Sequence, residues 1–101
     1  MICHVVLMTF TDAADAPEAQ RRLDAMVGQV PSLLTLQAGL DVVRGPASAH
    51  LFLQTTHADL AGLRAYAEHP AHLDLLTWLA PRLERRVVVD AELGCPDPGS
   101  G

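Results

Sequence analysis

Residues 50–72 read HLFLQTTHADLAGLRAYAEHPAH, and the order of structures within this stretch decides the fold. The run His50 to Thr56 is short, largely apolar and rich in Leu and Thr with one Phe, which suits a strand. Thr56 with Asp59 forms a capping-box-like start for a helix. Leu60, Leu63 and Ala67 fall at helical offsets and mark its expected buried stripe. Pro70 interrupts that helix, because it lacks an amide donor and disfavours helical backbone at His69. A further helix is expected from Ala71 to about Leu79, with Leu75, Leu76 and Leu79 inward and Pro81 at its end.

Working outward, residues 2–10 alternate Ile2, His4, Val6, Met8 and Phe10 on one face with Cys3, Val5, Leu7 and Thr9 on the other. Both faces are apolar, so this strand expects cover on two sides. A helix follows, with Asp15 as N-cap, Pro17 in its first turn, and Ala19, Leu23, Met26, Val27 and Val30 on one face. Gly28 and Pro31 bracket its end. A second strand is expected from about Leu33 to Val43, with Gly39 marking a bulge or a close backbone approach. RGPAS makes a turn, and RRVVVDAEL reads as the last strand. The order β-α-β-β-α-β predicts an α+β, ferredoxin-like protomer: a four-stranded antiparallel sheet with helices on one face. Residues 1–94 form one domain in this reading, and 95–101 a flexible C-terminal tail.

Half of the 101 residues are hydrophobic, a high share for so small a body. The excess points to an apolar face covered by a second copy, so a homodimer through the open sheet face is expected. Two such faces packed together would close a dimeric α/β barrel. The net charge of −5 and the absence of lysine argue against nucleic acid, and they remove Schiff-base chemistry. No Gly-rich phosphate cradle is present, and no stretch approaches a membrane span. Cys3 and Cys95 read as unpaired thiols in a reducing compartment, which suits the cytoplasm.

Five histidines stand out in this background. His69 and His72, joined by His4 and His50, lack Cys or carboxylate partners at zinc spacing, so no metal is expected. No Ser sits in a nucleophile elbow, and Cys3 and His4 point to opposite faces of a strand. Proton transfer without a cofactor fits better. His72 has a near-neutral intrinsic pKa and suits a general base, while Tyr66 keeps its proton and can donate to a developing enolate. The same residues also admit a purely structural reading. In that reading Tyr66 is a core-edge ring, His69 caps a broken helix, and His57 lies on the solvated surface.

The segments HVVLMTF, LRAYAEHPAH and VVVD together resemble the stress-responsive dimeric α/β-barrel (Dabb) family, from His4 to about Leu93. The Tyr-x-x-His-Pro-x-His run is the most specific part of the likeness. The resemblance implies a ferredoxin-like protomer that dimerises through its sheet. One branch of that family is a plant polyketide cyclase that makes olivetolic acid by intramolecular aldol condensation. Its tyrosine and histidine match Tyr66 and His72, and its pocket histidines match His4, His50 and His69. The first helix departs from that enzyme, offering Ala25, Met26 and Val27 where the cyclase presents aromatic rings, so its substrate does not carry over.

The leading expectation is therefore a cofactor-independent cyclase acting on an enolisable poly-β-keto substrate. His72 and Tyr66 would be catalytic, His4, His50 and His69 would line the polar end, and Val6, Phe52, Leu63, Leu76 and Trp78 the apolar wall. One alternative is a non-catalytic dimeric module for a small apolar ligand or a stress response. Another is a cofactor-free monooxygenase of the antibiotic-biosynthesis type. The haem-degrading version of that type uses an Asn-Trp-His set, and this chain contains no asparagine.

Overall fold

A computed structural model describes residues 1–94; the expected tail at 95–101, with Cys95, lies outside the described residues. The chain runs β1 (Ile2–Phe10), a 3-10 turn (Ala13–Asp15), α1 (Ala16–Asp24), β2 (Thr35–Leu40), β3 (Leu51–His57), α2 (Leu60–Glu68), α3 (Pro70–Leu79) and β4 (Leu83–Glu92). The strands lie in the order β2-β3-β1-β4, every neighbouring pair antiparallel. This is the ferredoxin-like α+β arrangement that the sequence predicts.

The helices cover one face of the sheet, and the core lies between them. Val6, Met8 and Phe10 of β1 and Leu51 and Leu53 of β3 meet Leu23, Tyr66, Leu75 and Leu79 from the helices, all buried. The other face exposes Leu7, Val87 and Val89. Phe52 lies there too, opposite Leu7. No helix among the described residues is long and apolar enough to cross a membrane.

Several local expectations are corrected. Asp12, not Asp15, caps the start of the first helical segment, accepting from the Ala14 amide. Asp15 ends the 3-10 turn and holds the N-cap position of α1 as expected, but its side chain makes no capping bond. The helix ends at Asp24; the Ala25 amide still bonds four residues back, but those of Met26 and Val27 bond three residues back. That tighter winding breaks the 3.6 spacing. Met26 and Val30 stay buried, but Val27 turns out to solvent at 60% exposure. β2 is shorter than expected, leaving Val42 and Val43 exposed. Gly39 pairs regularly with Phe52, and a Cβ there would touch nothing, so it marks neither bulge nor close approach.

At the start of α2 the cap is Asp59 itself, which accepts from the Gly62 amide at 2.8 Å. Thr56 stays in β3 with its hydroxyl bonded to Thr35. Leu60 is exposed, Leu63 half-buried, and the fully buried member of this helix is Tyr66. His57 is not a surface histidine: it ends β3 on the helix-facing side and is 0% exposed.

Candidate active site

The break between α2 and α3 builds the site. His69 leaves the helical region at φ −66° and ψ 139°, as a residue before proline does. Its Nδ1 then accepts from the Ala71 amide at 3.1 Å, so His69 is the N-cap of α3. In an unbroken helix that amide would bond to the Ala67 carbonyl. Here the carbonyl is released, and His72 Nδ1 donates to it at 2.9 Å. A carbonyl only accepts, so this bond fixes the neutral His72 tautomer with its proton on Nδ1. Nε2 is then left with its lone pair, and it makes no hydrogen bond to the described residues.

Tyr66, in the last turn of α2, lies beside that imidazole with ring centroids 4.6 Å apart. Its hydroxyl is buried and finds no hydrogen-bond partner among the described residues. Burial pushes its pKa up to about 12, with the positive charge of Arg86 opposing the rise. Tyr66 is therefore a protonated donor throughout the physiological range. Burial lowers the pKa of His72, the bond to Ala67 opposes that, and the His4 and Arg86 charges add to it. His72 is therefore a neutral base at pH 7.

Two further histidines approach the tyrosine ring. His57 packs at 4.9 Å between centroids, donating from Nδ1 to the Ser32 carbonyl and accepting at Nε2 from the Thr55 hydroxyl. Both its nitrogens are occupied, and burial lowers its pKa. Its position is that of a support under Tyr66. His4, at 6.2 Å from the ring, bonds through Nδ1 to the Asp90 carboxylate directly opposite on β4. A carboxylate on Nδ1 orients the ring and leaves Nε2 free.

His4, Tyr66, His72 and Arg86 gather around one cavity of about 220 Å³. Its apolar wall includes Val6, Leu63 and Leu76, together with Met8, Leu53 and Leu79. Four other expected site residues lie elsewhere. Phe52 is on the open sheet face, because Leu53, not Phe52, pairs with the inward Val6. His50 precedes β3, stacks on Phe10 and accepts the Phe10 amide at 2.9 Å, beside a separate pocket at the β2–β3 connection. His69 is occupied as the helix cap and does not line the cavity. Trp78 is sandwiched between the guanidinium groups of Arg22 and Arg82, at 4.5 and 4.4 Å from the ring centroid.

The sequence reading missed Asp90, Arg86 and the burial of His57. Arg86, Val88 and Asp90 share one parity on β4, and that alternation was the available signal. Among the described residues no group of three or more His, Cys, Asp or Glu is placed to hold a metal ion.

The sequence profile of the stress responsive A/B barrel domain, Dabb, matches residues 2–93. A dimeric ferredoxin-like protein from Thermobifida fusca is 25% identical, with a TM-score of 0.81 over 91% of this chain and 90% of that one. A Dabb family protein from Mesorhizobium loti is 23% identical, with a TM-score of 0.70 over 92% and 97% of the two chains. A hydroxynitrile lyase from Passiflora edulis shares the fold at 16% identity, with a TM-score of 0.77 over 96% of each chain. No curated protein matches the sequence.

Proposed function

The chain belongs to the stress-responsive A/B barrel family, and on that footing we propose that it is a cofactor-independent, polyketide-cyclase-like enzyme acting on an enolisable poly-β-keto substrate. His72 Nε2 takes a proton from the carbon α to a carbonyl. The Tyr66 hydroxyl donates a hydrogen bond to that carbonyl oxygen as it becomes an enolate. The enolate carbon then attacks a second carbonyl of the same molecule, forming the new carbon–carbon bond. The resulting alkoxide recovers the proton from the His72 imidazolium, so the enzyme ends in its starting state.

One observation carries this reading. Tyr66, whose buried hydroxyl has no hydrogen-bond partner among the described residues, and His72, a neutral imidazole with Nε2 free, line the same mostly apolar cavity. Leaving a buried hydroxyl unpaired costs about 1–3 kcal/mol, which a carbonyl ligand relieves. The cavity is smaller than the roughly 300–1,000 Å³ usual for ligand pockets, so it suits a short substrate or the reacting end of a longer one. His4, oriented by Asp90, would line the polar end.

The exposed sheet face fits a homodimer. Leu7, Val87 and Val89 form an apolar patch on the side away from the cavity, and structural relatives are described as dimeric. Sedimentation of the protein, alone and with Val87→Asp, reads this directly.

The chemistry is tested by deuterium exchange from water into the α carbon of small ketone and β-keto ester probes. The wild type should exceed the buffer rate, and His72→Ala should lose about 10²–10⁴-fold. Folded His72→Ala and Tyr66→Phe variants that both keep the full rate would sink the proposal. An inert protein that still binds the probes would favour the ligand-binding module, and oxygen uptake during turnover would favour the monooxygenase.

A further inference from the structure

Arg86 is the one arginine that lines the cavity shared by Tyr66 and His72. It stands on β4 opposite Met8, on the helix-facing side of the sheet. Arg21 and Arg22 are held by Glu18, and Arg82 by the Trp78 ring and carbonyl. Arg86 makes no ion pair among the described residues. On the same strand Asp90 is bonded to His4, and Glu84, two residues before Arg86, forms no ion pair with it among the described residues. Its positive charge is felt at both reactive groups, opposing the upward push on Tyr66 and adding to the downward push on His72. Arg86 thus lines the cavity as an exposed residue whose charge reaches both groups.

An uncompensated guanidinium at the mouth of an apolar cavity is a recognition element. It offers paired N–H donors in a fork that matches a carboxylate, and charge-assisted bonds of this kind are roughly twice as strong as neutral ones. Arg86 is exposed, so an anion seated on it keeps part of its hydration and escapes most of the penalty of burial. The remainder of the cavity wall is mostly Leu, Val and Met, which suits an apolar body of limited size.

We infer that the molecule taken by this cavity is an ionised carboxylic acid, with its carboxylate on Arg86 and its apolar part against Val6, Leu53, Leu76 and Leu79. The inference rests on the acid–base reading of Tyr66 and His72, and it names the substrate class of that site. A neutral ketone or ester would leave the guanidinium unmatched.

The test is calorimetric titration with 3-phenylpropanoate and with 3-phenylpropanamide, which differ only in the charged head. The wild type should bind the acid about tenfold or more tightly than the amide, a gap that narrows as salt is raised. Arg86→Gln should abolish the preference, and Arg86→Lys should restore part of it. Thermal melts at matched protein concentration confirm that the variants fold. Equal binding of acid and amide by the wild type would overturn the inference. So would a preference that survives Arg86→Gln, or failure of both probes to bind. Binding is read without turnover, so loss of the preference leaves the deuterium-exchange test of Tyr66 and His72 untouched. An inert exchange assay with the preference intact would overturn only the chemistry.

Discussion

Tyr66→Phe separates a catalytic hydroxyl from a structural one, because the two roles predict opposite effects on stability. The ring is 1% exposed and packs against His57 and His72 at 4.9 and 4.6 Å, contacts that phenylalanine keeps. Only the oxygen is lost, and that oxygen has no hydrogen-bond partner among the described residues. A buried polar group left unpaired costs about 1–3 kcal/mol. The variant is therefore expected to be at least as stable as the parent, by up to that amount. At roughly 4–8 °C per kcal/mol for a domain of this size, the upper part of the range is easily measured as a rise in Tm. Urea unfolding gives the same quantity as a shift in midpoint at constant slope. Protein concentration must be matched, since a dimer's Tm depends on it. Exchange into ketone probes should fall in the same sample. A variant that is destabilised by more than about 1 kcal/mol yet retains full exchange would refute the reasoning, because the hydroxyl would then be holding the structure together.

Three other outcomes follow from the geometry. Burial depresses the pKa of both His57 and His72, so the unfolded chain binds more protons than the native one as pH falls below about 6.5. Stability should hold above that pH and decline below it until the native histidines also protonate; urea midpoints compared at about pH 7.5 and pH 5.5 check the sign. His57→Phe strips the Ser32 carbonyl and the Thr55 hydroxyl of their shared partner, and it should destabilise by about 1–3 kcal/mol for each buried group left unpaired, read by chemical denaturation. Asp90→Asn keeps the shape but removes the charge that orients His4, and two-dimensional nitrogen NMR of the imidazoles should show the His4 tautomer shifting while that of His72, held by Ala67, does not.

The element order was legible because each segment carries a clear period and the breaks carry their own chemistry. Pro70 announces the helix break from sequence alone, and with it the placing of Tyr66 and His72 on separate helices. The parity of β3 was not legible. In HLFLQTTH the two faces hold Leu51, Leu53, Thr55 and His57 against His50, Phe52, Gln54 and Thr56, and neither set is clearly the more apolar. Pairing with β1 decides it, through Val6 against Leu53. His57 looked solvated because it stands next to a helix cap, yet strand parity carries it inward. Asp90 lies 86 residues from His4, and only the β1–β4 register brings them opposite. Trp78 is expected in the cavity wall, but the two guanidinium groups that claim it come from α1 and from the residues after α3.

A core selected for stability alone would not surround a tyrosine with three imidazoles. His4, His57 and His72 all approach Tyr66, each at the expense of burying polar atoms that must be paired. The pairing is selective. Among the described residues, His57 has both nitrogens engaged, His4 and His72 each have only Nδ1 engaged, and the tyrosine hydroxyl has no partner. His57, which does not line the cavity, is fully bonded, and the unpaired atoms of this group belong to the residues that do line it. The helix break follows the same logic. Interrupting a helix at Pro70 forfeits backbone bonds, and His69 recovers one of them by capping Ala71. The Ala67 carbonyl that this releases is spent on fixing the His72 tautomer. A break that only ended one helix and began another would have no need of a histidine there. That histidine frees the carbonyl that fixes His72 beside the Tyr66 ring, and both residues line the cavity.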